Sequence, residues 1–179
     1  MRSMFSTNRY FWIAALAGLV IDRLSKFWVL YAFTLELPPP DLPRAVLDRY
    51  TQDLMPIIPG VFHLTYALNT GAAFSLFTNG VGWLRWLSIG VSIALLLLAW
   101  FGPKLSRWEQ VGYGLILSGA LGNGLDRFLW GYVVDFLNFR LIRFPVFNLA
   151  DAFINIGLAC LLIAAFQSPN RPPSDQEKS

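Results

Sequence analysis

Of 179 residues, 55% are apolar (AVILMFWYC) and only 14% are charged, with a formal net charge of +3. The positive mean hydropathy that results excludes an ordinary soluble domain and makes lipid the expected solvent. The small, dispersed charge excludes a nucleic-acid footprint. The lone Cys160 excludes an intramolecular disulfide, and the lone His63 argues against a histidine-based metal site, so no cofactor or metal is expected.

Four stretches approach or exceed the roughly 20 apolar residues that a helix needs to cross a hydrocarbon core: 10–33, 82–100, 111–130 and 147–166. They predict an all-α integral membrane protein: a four-transmembrane-helix bundle forming a single domain over 1–167, with a small extracytoplasmic β-sheet or loop element. In the first stretch, Arg2 and Arg9 precede Ala14, Ala15 and Ala17, which also suits a cleaved signal peptide. The apolar run resumes over 27–33, however, and is too long for one. Asp22 and Lys26 are four apart and are expected to form a structural pair along this helix. Arg23 points to another side, to snorkel or to meet another acid.

Downstream, 37–59 carries Pro38, Pro39, Pro40, Pro43, Pro56 and Pro59 and reads as an irregular insertion or a short surface helix between breakers. Over 61–68, Phe62, Leu64, Tyr66 and Leu68 alternate with His63, Thr65 and Ala67, the pattern of a strand. A turn at Asn69, Thr70 and Gly71 follows. A second extended piece is expected over 133–139, and the polar tail 168–179 is expected to be disordered. The presumed inner segments hold Arg2, Arg9, Lys104, Arg107, Arg171 and Lys178, against Arg44, Arg49, Arg140 and Arg143 outside. Six against four places both termini and the tail in the cytoplasm, and 34–81 and 131–146 outside.

Ionisable groups inside spans are costly and need a reason. The third span ends outward with Asn123, Asp126 and Arg127; the connection holds Asp135; the fourth span opens with Asn148, Asp151 and Asn155. Residues three, four and seven apart share a helix face, so the last three form a polar stripe expected to face the bundle interior. Only about sixteen residues join the two spans, so Asp135 can approach Asp151 at the outer membrane boundary. Two carboxylates crowded in a partly dry site share a proton, and one then serves as base while the other serves as acid. Each asparagine alone is as well explained by interhelical hydrogen bonding. Three acids with Arg127 as the only obvious cation are harder to explain that way.

Five segments, in order, resemble the lipoprotein signal peptidase family, also called signal peptidase II. They are D-R-L-S-K from Asp22, N-T-G-A-A-F from Asn69, G-A-L-G-N-G-L-D-R from Gly119, V-V-D-F from Val133 and F-N-L-A-D from Phe147. The chain departs from the family pattern at Arg23, usually Gln, and at Ser118, usually Gly. The resemblance implies an aspartic endopeptidase with Asp135 and Asp151 as its catalytic dyad. It places Asn69, Gly71, Asn123, Asp126, Arg127, Asn148 and Ala150 in the surrounding substrate site. It further implies diacylated prolipoprotein substrates cut before the lipidated cysteine, in contact with membrane lipid, and a bacterial inner-membrane location with the site outside. No nucleic-acid partner is expected from the charge, and a monomer is the expected state.

Two other readings compete. Intramembrane acids also serve proton-coupled transporters or channels, although here they gather at one face rather than threading from side to side. A serine–lysine nucleophile at Ser25 and Lys26 is disfavoured because helix neighbours point about 100° apart.

Overall fold

The computed structural model describes residues 8–39, 42–47, 49–71, 81–142 and 144–167. The predicted tail lies outside these. Four long helices, α1 (Arg9–Ala32), α3 (Val81–Phe101), α4 (Arg107–Leu129) and α5 (Leu149–Gln167), form a bundle. Across one end lies an antiparallel sheet of β1 (Thr51–Ile58), β2 (Phe62–Asn69) and β3 (Val133–Phe139), in that order, with the short helix α2 (Arg44–Leu47) leading into it.

α4 is the central helix because its glycines let its neighbours approach closely. A Cβ at Gly114 would stand 2.5 Å from the Phe11 carbonyl oxygen of α1, and one at Gly119 would stand 2.4 Å from the Ala150 carbonyl oxygen of α5. The glycine-rich segment read from sequence as a motif is therefore a packing surface. At the end remote from the sheet, Phe11, Ala15, Leu95, Ala99 and Leu117 form an apolar core. Asn8 ties α1 to α3 there, its side-chain amide donating to the Ala99 carbonyl at 3.1 Å. At the other end the sheet sits on α1 through Val29, Leu64 and Phe136. The hydroxyls of Tyr66 and Tyr132 fasten the chain below it, donating to the carbonyls of Glu36 and Pro38 at 3.3 and 2.8 Å.

Most helix boundaries fall within two residues of expectation, with one instructive exception. α4 begins four residues early because Ser106 and Glu109 make a reciprocal capping box. The reading of 37–59 as an irregular insertion or a short surface helix is met by α2, but the segment also holds an unexpected full strand, β1. The prolines obscured that strand, yet Pro56 is tolerated because β1 is an edge strand with irregular register on both sides of Met55.

Among the described residues, Trp83–Phe101 and Leu149–Gln167 are long and apolar enough to cross a membrane. α1 and α4 carry charged groups among their apolar residues, and several of these turn towards each other. Outward, α1 exposes Ile13, Leu16, Leu24 and Phe27, an apolar exterior suited to lipid.

Candidate active site

β3 delivers Asp135 and the N-terminus of α5 delivers Asp151. The segment between them folds back so that Phe147 exchanges backbone hydrogen bonds with Leu137, of 2.8 and 3.0 Å. That return places Asn148 beside both acids. Its side-chain amide donates to Asp135 Oδ1 at 2.6 Å, its backbone N–H donates to Asp151 Oδ2 at 3.2 Å, and its Oδ1 accepts from the Asp151 N–H at 3.1 Å. One residue thus caps the helix and bridges the two carboxylates.

The remaining oxygens are also held. Asn123 of α4 donates to Asp151 Oδ1 at 2.7 Å, and its own Oδ1 accepts from Asn148 at 3.0 Å. Asn69, at the end of β2, donates to Asp135 Oδ2 at 2.9 Å while its Oδ1 accepts from the Gly71 N–H at 2.7 Å. Gly71 makes that turn with φ 91°, a conformation that strongly favours glycine. Asp135 is 1% exposed, and burial, reinforced by the nearby Asp151 charge, pushes its carboxyl up to about 7.

Asp151 is less buried and opens onto a groove of about 610 Å³ walled by Phe139, Ile142, Phe144, Val146, Phe147 and Ile156, with Asn69 at its edge. Asn155 lines the same groove and is exposed, so the stripe of Asn148, Asp151 and Asn155 does not lie wholly in the bundle interior as expected. The stripe turns through the wall, with Asn148 buried and Asn155 outside.

The other expected site residues fall into a second cluster. Asp126 is not short of cations. Arg23 reaches it at 2.6 Å and Lys26 at 2.8 Å, and both also contact Asp22, at 2.7 and 3.1 Å. The reading of Arg127 as the only nearby cation is thereby corrected. Sequence spacing along one helix pairs Asp22 with Lys26, but it does not bring α1 onto α4. Asp22 Oδ1 further accepts from the Ala150 N–H at 3.1 Å, so α1 helps to cap the helix that carries Asp151. Ala150 itself is fully buried at this junction. Lys26 links the clusters by donating to Asn123 Oδ1 at 3.3 Å, a role the pairing read from sequence missed. Ser25 donates to the Asp22 carbonyl and Lys26 is occupied by acids, which removes the serine–lysine reading. Arg127 donates to the Asn123 carbonyl at 3.3 Å.

Acids placed in this way, at the end of an apolar bundle and against an apolar groove, are the arrangement that an aspartyl hydrolase acting at a membrane requires. Comparison with known proteins agrees. The chain belongs to the signal peptidase II family: the family profile described as Signal peptidase (SPase) II matches residues 14–167. A lipoprotein signal peptidase of Microcystis aeruginosa is 56% identical over 170 residues, covering 95% of this chain and 100% of the relative. One from Thermosynechococcus vestitus is 57% identical over 159 residues, covering 89% and 92%. A bacterial membrane enzyme solved by the in meso method at 2.3 Å superposes with a TM-score of 0.68 at 26% identity, covering 93% of both chains. Membership of a peptidase family displaces the transporter alternative.

Proposed function

We propose that Asp135 and Asp151 are the catalytic dyad with which this peptidase removes signal peptides from prolipoproteins, cutting before a cysteine that carries diacylglycerol. The observation that carries the assignment is the bridge through Asn148, which holds the buried Asp135 beside Asp151, the carboxylate that lines the groove.

The division of labour follows from their surroundings. Asp135, buried and pushed up to about 7, is the neutral partner that protonates the scissile carbonyl oxygen. Asp151 faces the groove and takes a proton from the attacking water. Water oxygen bonds to the carbonyl carbon and gives a neutral gem-diol. The C–N bond then breaks as Asp151 returns its proton to the leaving nitrogen and Asp135 recovers one from a hydroxyl, which restores the starting state. Asn123, Asn148 and Asn69 hold the carboxylates in place. Arg127 orients the substrate backbone, and Gly71 fixes the turn that presents Asn69. Asp126, with Asp22 and Lys26, supports the site from behind. The apolar groove suits the lipidated side of the substrate, whose binding energy positions the peptide bond.

In this reading 1–167 is a single domain and α1, α3, α4 and α5 are four spans of a monomer in the bacterial inner membrane. Both termini are cytoplasmic, and the sheet and dyad lie on the extracytoplasmic side. The inward-turned charges of α1 and its apolar outer face support the span assignment.

The test is Asp135→Asn and Asp151→Asn, each followed by gel shift of a diacylated precursor at matched membrane expression. Each is expected to lose about 10²–10⁴-fold in cleavage rate or more. Normal turnover by either variant ends the proposal.

A further inference from the structure

A second groove, of about 450 Å³, runs between α3 and α4 and shares no lining residue with the one at Asp151. Its walls include Ile89, Ser92, Leu96, Leu121, Leu125 and Phe128. The serine hydroxyls do not make it polar. Ser88 and Ser92 donate to their own helix, to the carbonyls of Leu84 and Ser88, at 3.0 and 2.7 Å.

At the sheet end of the groove, one turn before Ser88, stands Arg85. Its guanidinium carbon lies 5.0 Å from the centre of the Phe128 ring, and its Nε is buried with no hydrogen-bond partner. The contrast with α1 is direct: Arg23 and Lys26 each contact two carboxylates, whereas no carboxylate among the described residues forms a salt bridge with Arg85. A cation in an apolar helix needs an anion. Trp83 and Trp86 flank it, both exposed, and Trp86 packs edge-on to Phe128 at 6.1 Å. Tryptophans of this kind mark the headgroup level of a bilayer.

We infer that this groove binds one anionic glycerophospholipid, with its phosphate on Arg85 and an acyl chain along the apolar wall between α3 and α4. With no carboxylate of the described residues paired to it, the cation sets the headgroup charge. A zwitterionic lipid would bring its own ammonium and leave the site's net charge uncompensated. Inorganic phosphate would satisfy Arg85 but leave the slot unused, so a lipid answers both features.

The test uses the full chain, purified in detergent, stripped of lipid and offered dioleoylphosphatidylglycerol or dioleoylphosphatidylcholine. Bound lipid is counted by native mass spectrometry, and fold is monitored by circular dichroism. The expected result is one retained phosphatidylglycerol, preferred about tenfold over phosphatidylcholine, a difference of about 1.4 kcal/mol. Arg85→Gln should abolish the preference and Arg85→Lys should keep most of it. Ile89→Trp, which fills the slot, should weaken both lipids alike. Equal retention of the two lipids by the unaltered protein would overturn the inference, whatever the variants do. So would an undiminished preference in Arg85→Gln, or competition by chain-free glycerophosphoglycerol at the same concentration as the lipid. Displacement by a diacylated precursor peptide would also overturn it, by assigning the groove to substrate.

Discussion

Asp135 connects chemistry and stability through one proton. Its carboxyl is raised to about 7 in the folded protein and titrates at about 3.9 when unfolded. The folded state therefore binds the extra proton between these values, and its stability falls as pH rises through that window. Two outcomes follow from this sign. Cleavage should fall on the alkaline side with an apparent pKa near 7 that belongs to the pair, as read from the pH dependence of kcat/KM. Asp135→Asn, expected to be inactive, should gain thermal stability relative to the unaltered protein as pH rises from 4 to 8. A constant gap across that range would remove the buried-acid assignment. Asp22 is a different case, a fully buried carboxylate with two cationic partners and a helix N-terminus to cap. Asp22→Asn should cost about 3–5 kcal/mol in denaturant unfolding, with catalysis reduced in proportion to folded protein. Loss of turnover with unchanged stability would make Asp22 part of the chemistry.

At the scale of the elements, helix approach decides the geometry of the site. A Cβ at Gly122 would stand 2.6 Å from Asp22 Oδ2, whereas one at Gly90, in α3, meets nothing within 4 Å. Gly122→Ala should therefore cost about 1–3 kcal/mol by separating α1 from α4. Gly90→Ala should be neutral or stabilising by up to about 1 kcal/mol. Equal effects would mean that α4 is not packed through its glycines. The capping box at Ser106 and Glu109 was legible as S-x-x-E, and reading it would have placed the start of α4 correctly. β1 was less legible. A strand that holds a proline and follows a proline-rich stretch is recognisable only from its partner, because its register is set by pairing with β2 and is broken on either side of Met55 and Pro56.

For the whole molecule, the proposed membrane topology puts the sheet and the loop between α3 and α4 on opposite sides. With Cys160→Ala as background, Gln52→Cys in β1 should react with an impermeant maleimide in intact spheroplasts, and Lys104→Cys should react only after lysis. The reverse pattern would invert the protein and move the dyad to the cytoplasm.

Composition and local pattern determined the apolar helices, the strands expected over 61–68 and 133–139 and found at 62–69 and 133–139, and the convergence of acids at one end, because each depends on residues near one another in the chain. The dyad itself was reached through the resemblance, since periodicity alone left Asp126 as good a partner for Asp151 as Asp135. The tertiary structure adds how their surroundings differ. Burial against α1 gives Asp126 its two cations, and the return of Phe147 to β3 gives Asp135 its bridge through Asn148. Charge compensation in an apolar interior depends on which helices touch, and no local spacing along the chain encodes that.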